Sequence, residues 1–524
     1  MNKKIESFGM SHSIDGLQFP RTSPEKKPST SKTGQAILSE ALATLDHKTA
    51  LAILNEKNWR KQYPQYFKAL VQQGIENTLN PIHIAEAGLV KAHHTFEFYR
   101  NGERHSLNDV MQLPTTALHS VKVTGESNAA PEWHIPYQGQ KLHGAALLEQ
   151  IQRWQDRGII EPSHANALRA AQAHPEWFDL SDRTMVLFGA GSEAGPLTWL
   201  AKWKANIVAI DLPNAKVWHK ILSTVQQGNA TLYAPSLTAV APNTPAQALA
   251  DQLGANLLTQ TPEIAHWLVQ NPHQLDLAAI AYLDGEKHVR VAMAMDSIMQ
   301  YVSQQKAHSS LMFMCTPTDV YAVQPEVIAA SQQKFSQRTT LQKWLGNGLS
   351  TLTQKRFLQK NLHDLITSDN GQRYGIADCL VVEQGPNYAL AKRIQQWRAT
   401  LARQQGQRVS INIAPSTTTH SVTKNPLLKA AFNGAEIFDV EAFSPETTNA
   451  IMAALWIHDL RNPHALANPE IQLNHPLELI MDGANHGGLW RVAYLARTAL
   501  PFAALYGFTD GKIPLKKLGF KLTQ

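Results

Sequence analysis

Two periodicities divide the chain. Over residues 35–74 apolar side chains recur at helical spacing: Ile37, Leu38, Ala41, Leu42 and Leu45, then Leu51, Ile53 and Leu54. The same spacing returns over residues 143–173 through Leu147, Leu148, Ile151 and Trp154 and, past Gly158, Ala165 and Leu168. Both stretches predict helices, and residues 75–140 between them are mixed. From Asp182 the pattern changes to short apolar runs rich in β-formers: Thr184–Phe188 (TMVLF), 205–210 (ANIVAI), 255–258, 277–282, Ser310–Cys315 (SLMFMC), 408–413 (RVSINI) and 477–481 (LELIM). Helix-length segments fill most intervals. This alternation predicts an α/β fold, a Rossmann-type doubly wound parallel sheet with helices on both faces, plus a mostly helical N-terminal region. The expected organisation is a flexible polar tail over 1–35, carrying Pro20, Pro24 and Pro28, an accessory domain over 36–180 and the Rossmann-type domain over 181–524.

Composition narrows the classes. Of 524 residues 43% are hydrophobic, enough for a large core and too many for a disordered chain. Two cysteines, Cys315 and Cys379, exclude a disulfide scaffold and a cysteine-rich metal site, and they suit a reducing cytoplasm. No metal site is expected, since the 22 histidines are scattered without an HExxH pair. The formal charge of +6 comes without a basic stripe, which argues against nucleic acid as a partner. The N-terminal stretch lacks the apolar core of a secretory signal, and no apolar run is long enough to predict a membrane span.

The first candidate chemistry follows TMVLF. Gly189, Gly191 and Gly195 with Ser192 form a glycine-rich turn before a helical stretch predicted over 197–204. Glycines there allow a tight turn and close backbone approach to a pyrophosphate, with the next helix N-terminus supplying oriented N–H groups. The second strand ends at Asp211, 20 residues past Gly191, where a carboxylate can accept from both ribose hydroxyls of an adenosine. The acid disfavours a 2′-phosphate and the nearest downstream base is Lys216, so NAD is expected over NADP. The same geometry serves S-adenosylmethionine in methyltransferases.

The second candidate is the helix opened by GPNYALAK. Tyr388 and Lys392, i and i+4, share one helix face. A nearby ammonium is expected to lower the tyrosine pKa and fit it for proton transfer. The helix feeds RVSINI and then Pro415, Ser416, Thr417, Thr418 and Thr419; LIMDGANHGG comes later.

In this ordered series, over roughly residues 182–490, the sequence resembles the short-chain dehydrogenase/reductase family. The resemblance implies Tyr388 as catalytic acid/base, Lys392 as its partner and nicotinamide-ribose ligand, and Gly189, Gly191 and Gly195 as the dinucleotide turn. It places Pro415, Thr417 and Thr419 over the nicotinamide. Thr316, or Thr318, would orient the substrate carbonyl, and His288 falls where the family helix carries an asparagine of a proton relay. A small carbonyl or alcohol substrate and a homo-oligomer are also implied.

The chain departs from the family pattern. Glu193 stands where a glycine is usual, the Asn-Asn-Ala-Gly element is reduced to Leu283-Asp284-Gly285, and Thr316 lies 72 residues before Tyr388. An alternative alignment takes 379–384 (CLVVEQ) as the strand before the catalytic helix, with Glu383 in the hydroxyl slot. Residues 319–378 therefore read as an insertion, expected to fold over the substrate end as a lid. A second reading of different class, a dinucleotide-binding sensor or scaffold without turnover, is favoured by Glu193.

Overall fold

A computed structural model describes residues 15–21, 28–241, 244–338, 357–361 and 363–509. Its centre is a seven-stranded sheet of β1 (His119–Thr124), β2 (Thr184–Phe188), β3 (Asn206–Ile210), β4 (Thr231–Ser236), β5 (Asp276–Ala279), β6 (Ser310–Cys315) and β7 (Val409–Ile413), in the order β7-β6-β5-β2-β3-β4-β1. The six strands from β2 to β7 are parallel and β1 closes one edge antiparallel to β4. Counted from β2, the parallel strands run 3-2-1-4-5-6, the Rossmann order, with its switch point between β2 and β5.

Both faces are apolar, as the near-continuous runs require of a parallel sheet covered on two sides. Val186 and Phe188 of β2 join one core; Met185 and Leu187 join the other. The relevant long helices are α1 (Thr30–Leu42), α2 (Trp59–Glu76), α3 (Asn80–Thr95), α4 (Glu286–Gln305), α5 (Pro386–Gln404), α6 (Pro426–Asn433), α7 (Pro445–Arg461) and α8 (Ala496–Phe508). α4 and α5 contribute to the first core and α1, α2 and α3 share it. The second holds α7 with the helices Gly144–Asp156 and Pro162–Ala173. The residues up to 180 thus supply an edge strand and reach both faces. α3 meets α5 closely: a Cβ on Gly88 would stand 2.5 Å from the Trp397 ring.

Several sequence expectations change. Residues 255–258 are a loop, which pairs Ala255 N–H with the Asp211 carbonyl at 2.9 Å. LELIM is the short helix Glu478–Met481, so no strand forms there. The helix after the glycine turn spans only Leu197–Leu200. β1 and β4 were not among the predicted strands; the first is polar at alternate positions and the second contains Pro235. CLVVEQ is no strand either, which removes the alternative alignment. The insertion forms a small antiparallel sheet of Val320–Val323, Arg373–Asp378 and Ile366–Thr367 and a helix, Pro325–Ser336. It and the segment that follows it are tied to the flank: Asp378 pairs with Arg497 of α8 at 2.7 Å, and the Tyr63 hydroxyl of α2 donates to the Val381 carbonyl at 3.1 Å. Most of 340–360, a part of the insertion whose apolar spacing predicts helix, lies outside the described residues.

Candidate active site

At the switch point the carboxyl ends of β2 and β5 open a cleft of about 1120 Å³. β2 runs into Gly189 at φ +90°, a left-handed conformation that glycine adopts freely; a Cβ there would lie 2.6 Å from the Ala281 Cα. The Gly191 N–H donates to Asp211 Oδ2 and the Leu212 N–H to Oδ1, each at 2.8 Å. The carboxylate so pins the glycine turn to the end of β3. Burial lifts the Asp211 pKa, and these two N–H groups work against that rise. A carboxylate has about four acceptor sites, so half its capacity is left for a ribose.

Gly189, Gly191, Ser192 and Asp211 all line the cleft. Gly195 is not among its lining residues: it is buried, and a Cβ there would stand 3.0 Å from Ile280 Cδ1, so its role is packing. The four-residue helix beyond it is too short to present an anion site of its own. Glu193 is exposed on the cleft wall, and its Oε2 accepts the His420 N–H at 2.9 Å.

The other end of the cleft is built where β6 stops. Thr316 is buried, and its Oγ1 lies 2.9 Å from Thr318 Oγ1, which donates to Gln384 Oε1 at 2.8 Å. This chain of hydroxyls joins the two ends of the insertion directly in front of α5. Gly385, at φ +82°, caps that helix and Pro386 occupies its first turn, where the missing N–H costs nothing. Tyr388 and Lys392 follow one turn apart, and both line the cleft with Thr316 and Thr318. Two insertion residues brace this floor. The buried Tyr321 hydroxyl donates to the Thr316 carbonyl at 2.5 Å, and the buried Asp319 accepts from Arg393 and Gln396 of α5, both at 3.1 Å.

The electrostatics differ from the sequence expectation in one respect. Burial pushes the Tyr388 pKa up to about 12, against a lowering hydrogen bond from Thr316. Lys392 does not offset this. Its Nζ, 6.0 Å from the Tyr388 ring centroid, donates to the Met314 carbonyl at 2.9 Å and to Gln395 Oε1 at 3.2 Å. Its own pKa is lowered by burial. His288 stacks on Tyr388 with ring centroids 5.2 Å apart and packs against Tyr282 at 4.7 Å. It is 1% exposed, and neither ring nitrogen has a hydrogen-bond partner among the described residues. Burial, then the Lys392 charge, holds its pKa well below the usual histidine value, so the ring is neutral.

The wall opposite the glycine turn comes from the segment after β7. Pro415, Thr417 and Thr419 line the cleft, and the Thr417 hydroxyl donates to the Pro415 carbonyl at 2.9 Å. Val422 of the short helix His420–Thr423, Leu428 and Phe432 of α6, and Leu500 of α8 continue that wall. No described residue of 319–378 lines the cleft, so among the described residues the cover is α6 and α8 rather than the insertion. Residues 339–356 and 362 lie outside the described residues. The sequence reading missed Gln384, the Met314 carbonyl, Tyr282 and the α6–α8 wall. Only Gln384 had a local signal, its position directly before Gly385-Pro386.

The residues at both ends of the cleft fit a nicotinamide dinucleotide: Asp211 and the glycine turn at one, Tyr388, Lys392 and Thr417 at the other. Glu193 adds a carboxylate to the same lining. Among the described residues no group of three or more His, Cys, Asp or Glu could hold a metal ion, and no helix is long and apolar enough to cross a membrane.

No protein-family model and no curated protein matches the sequence. Among solved structures, the chain shows a likeness to the terminal R domain from the myxalamid PKS-NRPS biosynthetic pathway, with a TM-score of 0.28 and 15% identity over 52% of this chain. The match spans 61% of that chain's length.

Proposed function

We propose that the chain is a nicotinamide-dependent oxidoreductase interconverting a carbonyl compound and its alcohol, with NAD(H) preferred over NADP(H). The observation that carries the reading is the convergence of Thr316, Tyr388 and Lys392 on one cleft with the Asp211-pinned glycine turn. A bound nicotinamide supplies or accepts the hydride.

The protein's own groups do the rest. Thr316 offers its hydroxyl to the substrate oxygen and shares a hydrogen bond with Tyr388. Tyr388 gives a proton to that oxygen in reduction and takes one back in oxidation. Its raised pKa keeps it protonated at neutral pH, which favours the reducing direction. Lys392, with three donors on Nζ and two of them engaged, keeps one for a ribose hydroxyl. The neutral His288 ring, stacked on Tyr388, limits its swing. Asp211 accepts from the adenosine ribose and repels a 2′-phosphate; Lys216 is exposed and is not among the cleft residues.

A panel of NADH, NADPH and S-adenosylmethionine in thermal-shift assays tests the cofactor class. Stabilisation by NADH, followed by its oxidation with a carbonyl substrate, supports the reading. A shift with S-adenosylmethionine alone would overturn it. Glu193 and the four-residue helix favour a second reading, a dinucleotide-responsive protein without turnover. Stabilisation by NADH with no oxidation across a broad carbonyl panel would select it.

A further inference from the structure

The residues that would hold a dinucleotide all belong to the glycine turn, the end of β3, α5 and the 415–419 loop. Among the other lining residues is an apolar wall that follows the 415–419 loop. Its side chains are Val422, Leu428, Phe432 and Leu500, with Asn425 as the one polar member. Asn425 is already used: its Oδ1 accepts the Leu427 and Leu428 N–H groups at 3.0 and 3.3 Å, capping α6. Leu428 and Phe432 are i and i+4 and so share a face of α6, while Lys424 and Lys429 are exposed and absent from the cleft. The wall is firmly placed, because α6 and α8 meet backbone to backbone. A Cβ on Gly507 would stand 1.9 Å from the Ala430 carbonyl oxygen, and one on Gly434 the same distance from the Ala503 oxygen.

The cationic residues lining the cleft do not call for an acidic substrate. Arg290 is engaged by the Leu17 carbonyl at 2.6 Å and by Glu286 at 3.4 Å. Lys392 is engaged by Met314 and Gln395, and the exposed Lys287 shares the cleft lining with the carboxylates of Glu193, Asp284 and Glu383. The cleft also exceeds the roughly 300–1,000 Å³ of an ordinary ligand site.

Building on the oxidoreductase reading, we infer that the substrate is a neutral aliphatic aldehyde or ketone, or its alcohol, whose alkyl chain lies along the Val422–Phe432–Leu500 wall. The carbonyl carbon takes a hydride from the reduced nicotinamide, the carbonyl oxygen takes the Tyr388 proton, and solvent re-protonates the tyrosine. The products are the alcohol and the oxidised nicotinamide.

The test uses the full chain in two arms. In the first, kcat/KM is measured with NADH for n-alkanals and 2-alkanones of increasing length. It should rise about fourfold per methylene until the wall is filled. In the second, which needs no cofactor, n-alkanols displace the neutral dye Nile red, and their affinity should climb with length. Phe432→Glu, and Leu428→Asn should the first variant not fold, should flatten both slopes. Turnover with a flat chain-length profile overturns the inference and leaves the oxidoreductase reading standing. Absence of turnover with every carbonyl fells that reading, and with it the assignment of the chain as a substrate. A flat displacement series shows that the wall takes no alkyl chain.

Discussion

The Glu193 carboxylate accepts the His420 backbone N–H at 2.9 Å, so the glycine turn and the segment after β7 are tied together across the cleft. The tie puts a negative charge on the lining of the cleft that also holds Asp211 and Tyr388, and on the proposed function that charge faces a dinucleotide's pyrophosphate. A neutral glutamine could keep the same acceptor.

Glu193→Gln should therefore tighten NADH binding by about threefold to tenfold, the value of removing one partly screened like charge at short range. Titration of NADH fluorescence at low and high salt measures it, and the gain should shrink with salt. Unchanged or weaker binding would place the pyrophosphate elsewhere.

Tyr388→Phe keeps the ring that stacks on His288 and removes only the hydroxyl. Turnover should fall by roughly 10²–10⁴ while NADH affinity stays near normal. Steady-state kinetics beside a binding titration separates the two, and a fully active variant would sink the proton-transfer role.

The pKa of Tyr388, pushed up to about 12 by burial, sets the pH profile. Carbonyl reduction uses the protonated form and should stay level from roughly pH 6 to 10, whereas alcohol oxidation uses tyrosinate and should rise about tenfold per pH unit. His288 is held neutral and should add no inflection near its ordinary pKa. Because the folded pKa lies above the ordinary value of 10.0, the contribution of Tyr388 to stability is complete below pH 10. It is lost as pH climbs through about 12. Bell-shaped reduction centred near neutrality would contradict this.

What the sequence made legible follows from how local each signal is. β2, β3, β5, β6 and β7 are apolar runs closed by turn residues, and the glycine turn with Asp211 sits within two of them. LELIM misleads because a run of five apolar and acidic residues fits a buried strand or a helix equally, and periodicity alone does not separate them. HSVKVT in β1 hid for the opposite reason: an edge strand with four exposed positions reads as polar loop. Tyr388 and Lys392 stand out by their i,i+4 spacing, and Thr316 entered only through the family resemblance; all three line the one cleft. The α6–α8 wall was not foreseeable. Phe432 and Leu500 share the cleft only through the close crossing at Gly434 and Gly507, a tertiary contact with no sequence period.

Asp211→Ala leaves the Gly191 and Leu212 N–H groups without their partner and, on the proposed function, also removes the ribose acceptor. NADH affinity should drop about tenfold or more, with discrimination against NADPH shrinking, and thermal stability should fall by about 1–3 kcal/mol. If NADPH already binds wild type more tightly than NADH, the charge argument fails.

The final prediction concerns residues 36–180 as a separate domain. Asp296 of α4 accepts from Arg398 of α5 at 2.6 and 2.9 Å and from His93 of α3 at 2.6 Å, all three side chains being buried. Burial opposes the Asp296 charge, yet Arg398 and His93 outweigh it and hold its carboxyl well below the usual carboxylate range. That contribution to stability is present above the ordinary pKa of 3.8 and lost as pH falls through the folded value. One corner of the triad thus belongs to the N-terminal region, as does Gly88, against which Trp397 packs. The same region supplies β1, the neighbour of β4, and the two helices of the second core. A chain starting at residue 181 would bare both faces of the sheet and the edge of β4, and strip Asp296 of its histidine. It should fail to unfold cooperatively and should bind an apolar dye, while Asp296→Ala in the full chain, leaving Arg398 buried without its anion, should cost about 3–5 kcal/mol. Size-exclusion chromatography and thermal melts decide it. A soluble 181–524 fragment with a sharp transition would show two separable domains and would remove the triad from any part in holding the fold.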